Sequence, residues 1–519
     1  MDWPNIQEMP IHHSKYLDTI EDLNTVLEYC INDVSSTKQI LKLCSSQVMM
    51  RKKLSDEYKL LLQNASEPRL SKELFVHFLS KKMKIKKYDL KQLRTKRDQV
   101  IVQDIILDYV SFDNLILKEV HKYFKGLVIP GNVDLKGIIK YRSRTDKKIT
   151  IDFGLGGIHG IGRKGIWETR DNMVIMSVDV TSFYPRLAMI NKWSPAHLDP
   201  EAFCEQYEWF FNERQKLSKK DIKNYVFKII LNATFGLSID EHSPFYDIQY
   251  GLQTTINGQL SLLMLYEMLS NIPGSEPIMM NTDGLEIRIP INFIENYNSI
   301  CKEWEKITGL NLENERYDKI LLWDVNNYIA VYAWKEVDVN KYLEIKQESP
   351  HYLFKTVNGK YYYSATKCKG RFEFTDLALH KNKSFLIIPK AIYNYFVHDI
   401  SPEETLMKNH NIYDYCAGNR TKSDWKFIKI VTSGQYKTYE EPLQKVIRYY
   451  VSNEGCGIVK RNITDGREIR VEAGKNLSIF NTFIDKPWSE YNINTGFYLK
   501  KIYDEITSIE NNKNQLELF

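Results

Sequence analysis

Long apolar runs are missing from this chain of 519 residues. Nothing in it approaches the roughly 18 uninterrupted apolar residues of a membrane span, so no membrane partner is expected. The opening residues, MDWPNIQEMPIHH, offer neither a basic stretch nor an apolar core, so no secretory signal is expected there. Paired cysteines are missing too. The seven (Cys30, Cys44, Cys204, Cys301, Cys368, Cys416 and Cys456) are scattered, odd in number and never at CxxC spacing. That argues against a disulfide framework and a structural zinc site, and for a reducing cytoplasm. Repeats and low-complexity blocks are absent. So is any large charge excess, since 71 Lys and Arg face 66 Asp and Glu. A net charge of +5 is by itself no signature of nucleic-acid binding.

What is present is an ordinary globular balance, 43% hydrophobic and 26% charged. At about 150 residues per domain, the length suggests three or four domains. Basic residues do concentrate locally. In residues 81–97 (KKMKIKKYDLKQLRTKR) nine of seventeen are basic and only Asp89 is acidic. Such a run can follow a phosphate backbone, with Lys86, Lys87, Arg94 and Arg97 as contacts; a solvated helix face is the plainer alternative. Residues 37–54 and 70–79 have helical apolar spacing, and 100–127 reads as one long periodic stretch. Near Pro130 the character changes, and a glycine cluster follows at 153–165. Residues 173–180 (MVIMSVDV) read as a buried strand. Residues 201–217 and 221–237 read as two helices. Residues 277–289 read as a hairpin turning at Asn281-Thr-Asp-Gly284, and 319–334 as another strand pair. The last 140 or so residues mix helix and strand.

Three segments carry candidate chemistry. Asp179 ends the apolar strand and precedes Val-Thr-Ser-Phe-Tyr-Pro185. Asp283 sits in the hairpin turn. Either alone is an ordinary strand cap or turn residue. On adjacent strands, however, two such carboxylates suit a pair of Mg²⁺ ions about 4 Å apart, the arrangement that serves phosphoryl transfer. Glu286, three residues beyond Asp283, is expected on the opposite strand face and so is a poor third ligand. Lys228, Asn232 and Phe235 fall at i, i+4 and i+7, and so share one helix face. A cation, an amide and a ring there suit a triphosphate and a stacked base. Gly160-Ile-Gly162-Arg-Lys-Gly165 fits GxGxxG but lacks the strand and helix of a dinucleotide site.

Taken in order, these segments resemble family B DNA polymerases, and the phage enzymes in particular. Asp179-Val-Thr-Ser182-Phe-Tyr184-Pro185 is similar to the family's D-x-x-S-L-Y-P motif. Lys228-Ile-Ile-Leu-Asn232-Ala-Thr-Phe235-Gly236 is similar to K-x-x-x-N-S-x-Y-G, and Asn281-Thr282-Asp283-Gly284 to D-T-D-S. Phe153-Gly-Leu-Gly156-Gly157 resembles the template-contact motif Y-x-G-G. Asn326-Asn-Tyr328 and Lys369-Gly370 resemble the basic-Tyr strand and the Lys-Gly that follows it. Asn281 departs from the usual Asp, but Asp283 keeps the place of the family's metal ligand. Only 49 residues separate Asp179 from Lys228, which leaves no room for the insertion of protein-primed members.

The resemblance implies an α+β right-hand fold: a palm with a ferredoxin-like antiparallel sheet, short two-helix fingers and a thumb, behind a helical N-terminal region. The expected division is 1–45, the edge of an exonuclease domain; 46–150, a helical connector; 151–200, palm; 201–245, fingers; 246–375, palm; 376–505, thumb; and 506–519, a tail. It implies a template-directed polymerase that extends a primer 3′-OH with dNTPs. Asp179, Asp283 and the Val180 carbonyl would hold two Mg²⁺, for which Mn²⁺ can substitute. Ser182, Phe183, Tyr184, Arg214, Lys228, Asn232 and Phe235 would bind the nucleotide, with Tyr184 excluding a 2′-OH. Gly156, Gly157, Tyr328, Lys369 and Gly370 would contact DNA.

Tyr29 and Asp33 resemble the Y-x-x-x-D of the family's 3′–5′ exonuclease, without the carboxylates that complete that site. Asp33 is a vestige, half of a site finished by another chain, or simply a helix-start residue. The readings of the missing site are a truncation or one subunit of a split polymerase, with no proofreading in this chain; the competing function class is a non-catalytic replication scaffold, for which the Asn281 departure is the best support. Finally, Gln515, Leu516, Leu518 and Phe519 of the terminal QLELF resemble the bacterial sliding-clamp motif. They imply a clamp partner, from host or phage, in a bacterial cytoplasm.

Overall fold

The computed structural model describes residues 3–131, 137–219, 221–348, 352–374, 381–433 and 437–514. The chain divides into two compact units, one formed by Met1–Ser45 with Cys368–Phe519 and the other by Ser46–Lys367. The clamp-like pentapeptide lies outside the described residues.

The Ser46–Lys367 unit is built on a twelve-stranded sheet in which every described pairing is antiparallel. Its central strand is Met173–Val180, as the sequence predicts, flanked by Gly284–Pro290 and Leu312–Asp324. Because strand side chains alternate, Val174, Met176, Val178 and Val180 share one face. They join Leu285, Ile287 and Ile289 in the main core, together with Leu252, Ile256 and Leu260 of the helix Ile248–Ser270. On the opposite face, Ile175 packs with Trp167, Tyr317 and Tyr328.

Ile248–Ser270 is almost wholly buried. The sequence reading does not anticipate it. A helix covered all round carries no polar stripe and hence no amphipathic period. Residues 100–127 also differ from expectation. They form a short strand, Gln99–Ile101, a 3₁₀ turn, Val102–Ile105, a helix, Leu115–Lys125, and lead into a second strand, Val128–Pro130. Asn114 starts that helix late by accepting from the backbone N–H groups of Ile116 and Leu117.

The two helices expected at 201–217 and 221–237 are Pro200–Gln215 and Ile222–Ser238. Asp199 and Asp221 cap them by accepting from the N–H groups of Ala202 and Lys223 at 2.7 Å each. Both pack on the helix Glu67–Lys82, whose Phe75 lies against Phe203, Tyr207 and Phe210, and also against Phe245.

In the other unit, the helices Ile387–His398 and Thr495–Asn514 accompany a three-stranded and a four-stranded sheet. The buried Arg448 ties the N-terminal segment to them, donating to the carbonyls of Trp3 and Phe480. The helix Ile20–Leu43 buries none of its residues. Its N-cap is Thr19, so Asp33 lies mid-helix and the helix-start explanation of that residue is corrected.

No described helix is long and apolar enough to cross a membrane.

Candidate active site

The central strand brings two of the three candidate segments together. Asp179 pairs in register with Gly284, the first residue after the hairpin turn, and the Val180 N–H donates to the Asp283 carbonyl at 2.7 Å. Gly284 is required here by close approach. A Cβ at this position would lie 2.0 Å from Asp179 Oδ1 and 2.7 Å from the Val178 carbonyl. The turn itself is tight. Asp283 N–H donates back to the Asn281 carbonyl, and Thr282 adopts φ 29°.

The strand ends at Val180, and Ser182 turns the chain through the left-handed region, φ 49°, into the helix Phe183–Ile190. That bend delivers Tyr184. Its hydroxyl donates to the Gly156 carbonyl at 2.8 Å, and its ring meets Phe235 edge-on with centroids 5.2 Å apart. Gly258 of the buried helix must lack a side chain, because a Cβ would come within 2.7 Å of the Tyr184 ring. Burial, with Asp283 nearby, raises the pKa of the Tyr184 phenol.

A cavity of about 310 Å³ opens at this junction. It is lined by Ser182, Phe183, Tyr184, Arg214, Lys228, Asn232, Phe235 and Asp283, with Pro185 and Thr282. Every predicted nucleotide-binding residue therefore lines one space, gathered from the strand end, both helices and the hairpin turn. Arg214 donates to Ser182 Oγ and to Asn224 Oδ1, each at 3.4 Å. Burial lowers its pKa, and the nearby Glu313 opposes the shift.

Beneath Asp179 lies a group of polar side chains that the sequence reading misses. The expectation for Glu286 is corrected. Residues 282–283 belong to the turn, so strand alternation starts at Gly284, and Glu286 falls on the Asp179 face opposite Ser177. It is buried, accepts from Ser177 Oγ at 3.4 Å, and burial pushes its pKa up to about 8. Lys367, from the strand Lys360–Lys369, places its Nζ 3.8 Å from Asp179 Oδ2. No motif points to Lys367. Its neighbours Tyr317 and Tyr328 come from other strands, and only the sheet order brings them together.

For a metal, two carboxylates and the backbone carbonyl of Val180 are hard oxygen donors of the type Mg²⁺ takes. Asp179 ends the central strand and Asp283 stands in the turn beside it, its carbonyl accepting from the Val180 N–H, so the donor set is of the chemistry such an ion takes. Among the described residues, no group of three or more His, Cys, Asp or Glu is arranged to hold a metal.

The predicted DNA contacts are dispersed. Gly156 receives the Tyr184 hydroxyl. Gly157 abuts Thr282, to which a Cβ would come within 3.1 Å. Tyr328 is buried in the sheet. Lys369 lies 3.9 Å from Glu373, and Gly370 opens a 3₁₀ turn at φ 65°. In the basic run, Lys86 is exposed and Lys87 is half-buried. Arg94 donates to the carbonyls of Lys91, Leu93, Glu241 and His242, and Arg97 pairs with the buried Asp247 at 2.6 Å. Both guanidinium groups thus brace the fold. Asp33, one helical turn from Tyr29, raises the phenol's pKa.

No protein-family profile matches the chain. The chain is similar to DNA polymerases in two comparisons. The catalytic polypeptide of DNA polymerase epsilon from Debaryomyces hansenii is 26% identical over 135 residues, a stretch that covers 26% of this chain and 6% of that protein. Among solved structures, the family B DNA polymerase from the hyperthermophilic archaeon Pyrobaculum calidifontis matches at TM-score 0.37 and 12% identity, covering 95% of this chain and 57% of that one. The chain spans less than two thirds of the length of either.

Proposed function

We propose that this chain is a DNA-directed DNA polymerase of the family B type, extending a primer 3′-OH on a DNA template. The observation that carries the reading is the single cavity where Asp283, Tyr184, Arg214, Lys228 and Asn232 converge from four segments. A deoxynucleoside triphosphate has the chemistry these residues suit. Lys228 and Arg214 neutralise its phosphates as charge develops. Asn232 orients them, and Phe235 and Tyr184 offer ring surface to the base and sugar. Asp179, Asp283 and the Val180 carbonyl would hold two Mg²⁺ ions, which when bound supply activation of the 3′-OH and stabilisation of the leaving pyrophosphate.

The palm, fingers and thumb of this reading take the boundaries given above. A phage origin and replication in a bacterial cytoplasm belong to the same reading, and they rest on the sequence resemblance. A specific observation favours the split-enzyme form, in which the exonuclease is on another chain. The helix Ile20–Leu43 exposes Ile20, Leu23, Leu27, Ile31 and Val34, apolar surface that a missing neighbour would cover.

The test is primer extension with Mg²⁺ on DNA and RNA templates. Extension on DNA that is abolished by Asp179→Ala and by Asp283→Ala is the expected result. A primer left unextended by the wild-type chain on both templates would overturn the reading and favour a scaffold.

A further inference from the structure

Lys367 occupies an unusual place for a lysine. Its side chain is only 24% exposed and lies on the sheet face that carries the Asp179 carboxylate. Burial alone would lower its pKa. Tyr317, Tyr328, Asp179 and Glu286 around it act the other way and raise it. Its Nζ lies 5.8 Å from the centre of the Tyr317 ring. Lys367 thus presents a half-buried ammonium whose described ion-pair partner is Asp179, 3.8 Å away.

We propose that Lys367 is a positioning residue of the polymerase site: in the metal-free chain its ammonium holds the Asp179 carboxylate in place and competes with a divalent ion for it. The inference rests on the assignment of Asp179 as a metal ligand. Its consequence has an unusual sign. A residue that merely braced the sheet would, when removed, leave the metal site looser and its affinity lower. A competing cation, when removed, leaves affinity higher, because a buried unit charge repels a nearby divalent ion strongly at the low effective dielectric of a half-buried site. The face of the Tyr317 ring remains to receive the ammonium when an ion displaces it from Asp179.

The experiment is Mn²⁺ titration of the full chain, followed by electron paramagnetic resonance of the free ion, with no substrate present. Lys367→Met is expected to bind Mn²⁺ roughly tenfold more tightly than the wild type, and Lys367→Arg, which keeps the charge, to bind as the wild type does. Lys367→Gln repeats the neutral case with a polar side chain if the Met variant fails to fold. Equal or weaker binding by the folded neutral variants, while Asp179→Ala loses binding, would overturn this inference and leave the polymerase reading intact. A wild-type chain that binds no Mn²⁺ would overturn both.

Discussion

Tyr184 meets four constraints at once: a hydrogen bond to Gly156, a bare Gly258 behind its ring, Phe235 across from it, and Asp283 nearby. A ring held this firmly against the cavity is suited to reject a sugar with one more hydroxyl. Tyr184→Ala is expected to incorporate ribonucleotides at least tenfold more readily relative to deoxynucleotides, about 1.4 kcal/mol of lost discrimination. Competition between the two in single-nucleotide extension measures this, and an unchanged ratio points to another gate. Glu286 makes a second residue-scale prediction. Its folded pKa, about 8, is raised from an ordinary 4.5. Below pH 4.5 the acid is protonated in both folded and unfolded chains and burial costs nothing extra. As pH rises toward 8 the unfolded chain ionises and the folded chain does not, so the wild type loses stability at about 1.4 kcal/mol per pH unit. Glu286→Gln lacks this term. Its melting temperature is expected to gain on the wild type between pH 5 and pH 8, and a constant difference would refute the buried-acid assignment.

At the scale of elements, the decisive contact is between helices. Pro200–Gln215 and Ile222–Ser238 supply Arg214, Lys228, Asn232 and Phe235 to the cavity, and both share a core with Glu67–Lys82, whose Phe75 lies against the first of them. Phe75 is fully buried among Phe203, Tyr207, Phe210 and Phe245. Truncating such a ring leaves a cavity that costs about 3–5 kcal/mol. Phe75→Ala is expected to lower the denaturant midpoint accordingly and to raise the KM for dNTP, because the helix pair loses its support. A variant with an unchanged KM would show that the pair holds its place without this brace. These two helices were readable from the sequence because each has an apolar stripe and an aspartate cap. The long helix Ile248–Ser270 was not, because it is covered on all sides.

At the scale of the whole molecule, two predictions concern what the chain does alone and what it does with a partner. One exonuclease-like carboxylate, Asp33, is exposed on the helix Ile20–Leu43, with Tyr29 one turn before it. The purified chain is therefore expected to leave a labelled 3′ end intact in Mg²⁺ over the time it completes primer extension. Metal-dependent digestion that survives Asp33→Ala would reveal an active site elsewhere. The terminal QLELF makes the second prediction. Leu516, Leu518 and Phe519 buried in a clamp pocket would contribute roughly 1.5–3 kcal/mol each before ordering costs. A ring held on DNA then raises the effective concentration of the primer end. Adding a bacterial β clamp is expected to lengthen products of the full chain and not of one lacking residues 515–519. Equal lengthening of both would rule the tail out as the docking site.

Local chemistry was legible without any coordinates. The strand at Met173–Val180 and the hairpin at the Asp-Gly turn follow from short-range patterns, apolar runs and turn residues, while the residues that line the cavity were expected from the resemblance that the ordered motifs carry. Such patterns survive in sequence because they act over a few residues. The cluster beneath Asp179 did not survive in that way. Ser177, Glu286, Tyr317, Tyr328 and Lys367 come from five strands spread over nearly two hundred positions, and no local rule links them. Sheet order and register alone put Glu286 on the Asp179 face and Lys367 within reach of it. The same holds for Arg94 and Arg97. In sequence they belong to a basic run, and in the folded chain carbonyls and Asp247 claim them. A charge's neighbours, and so its work, are set by long-range packing.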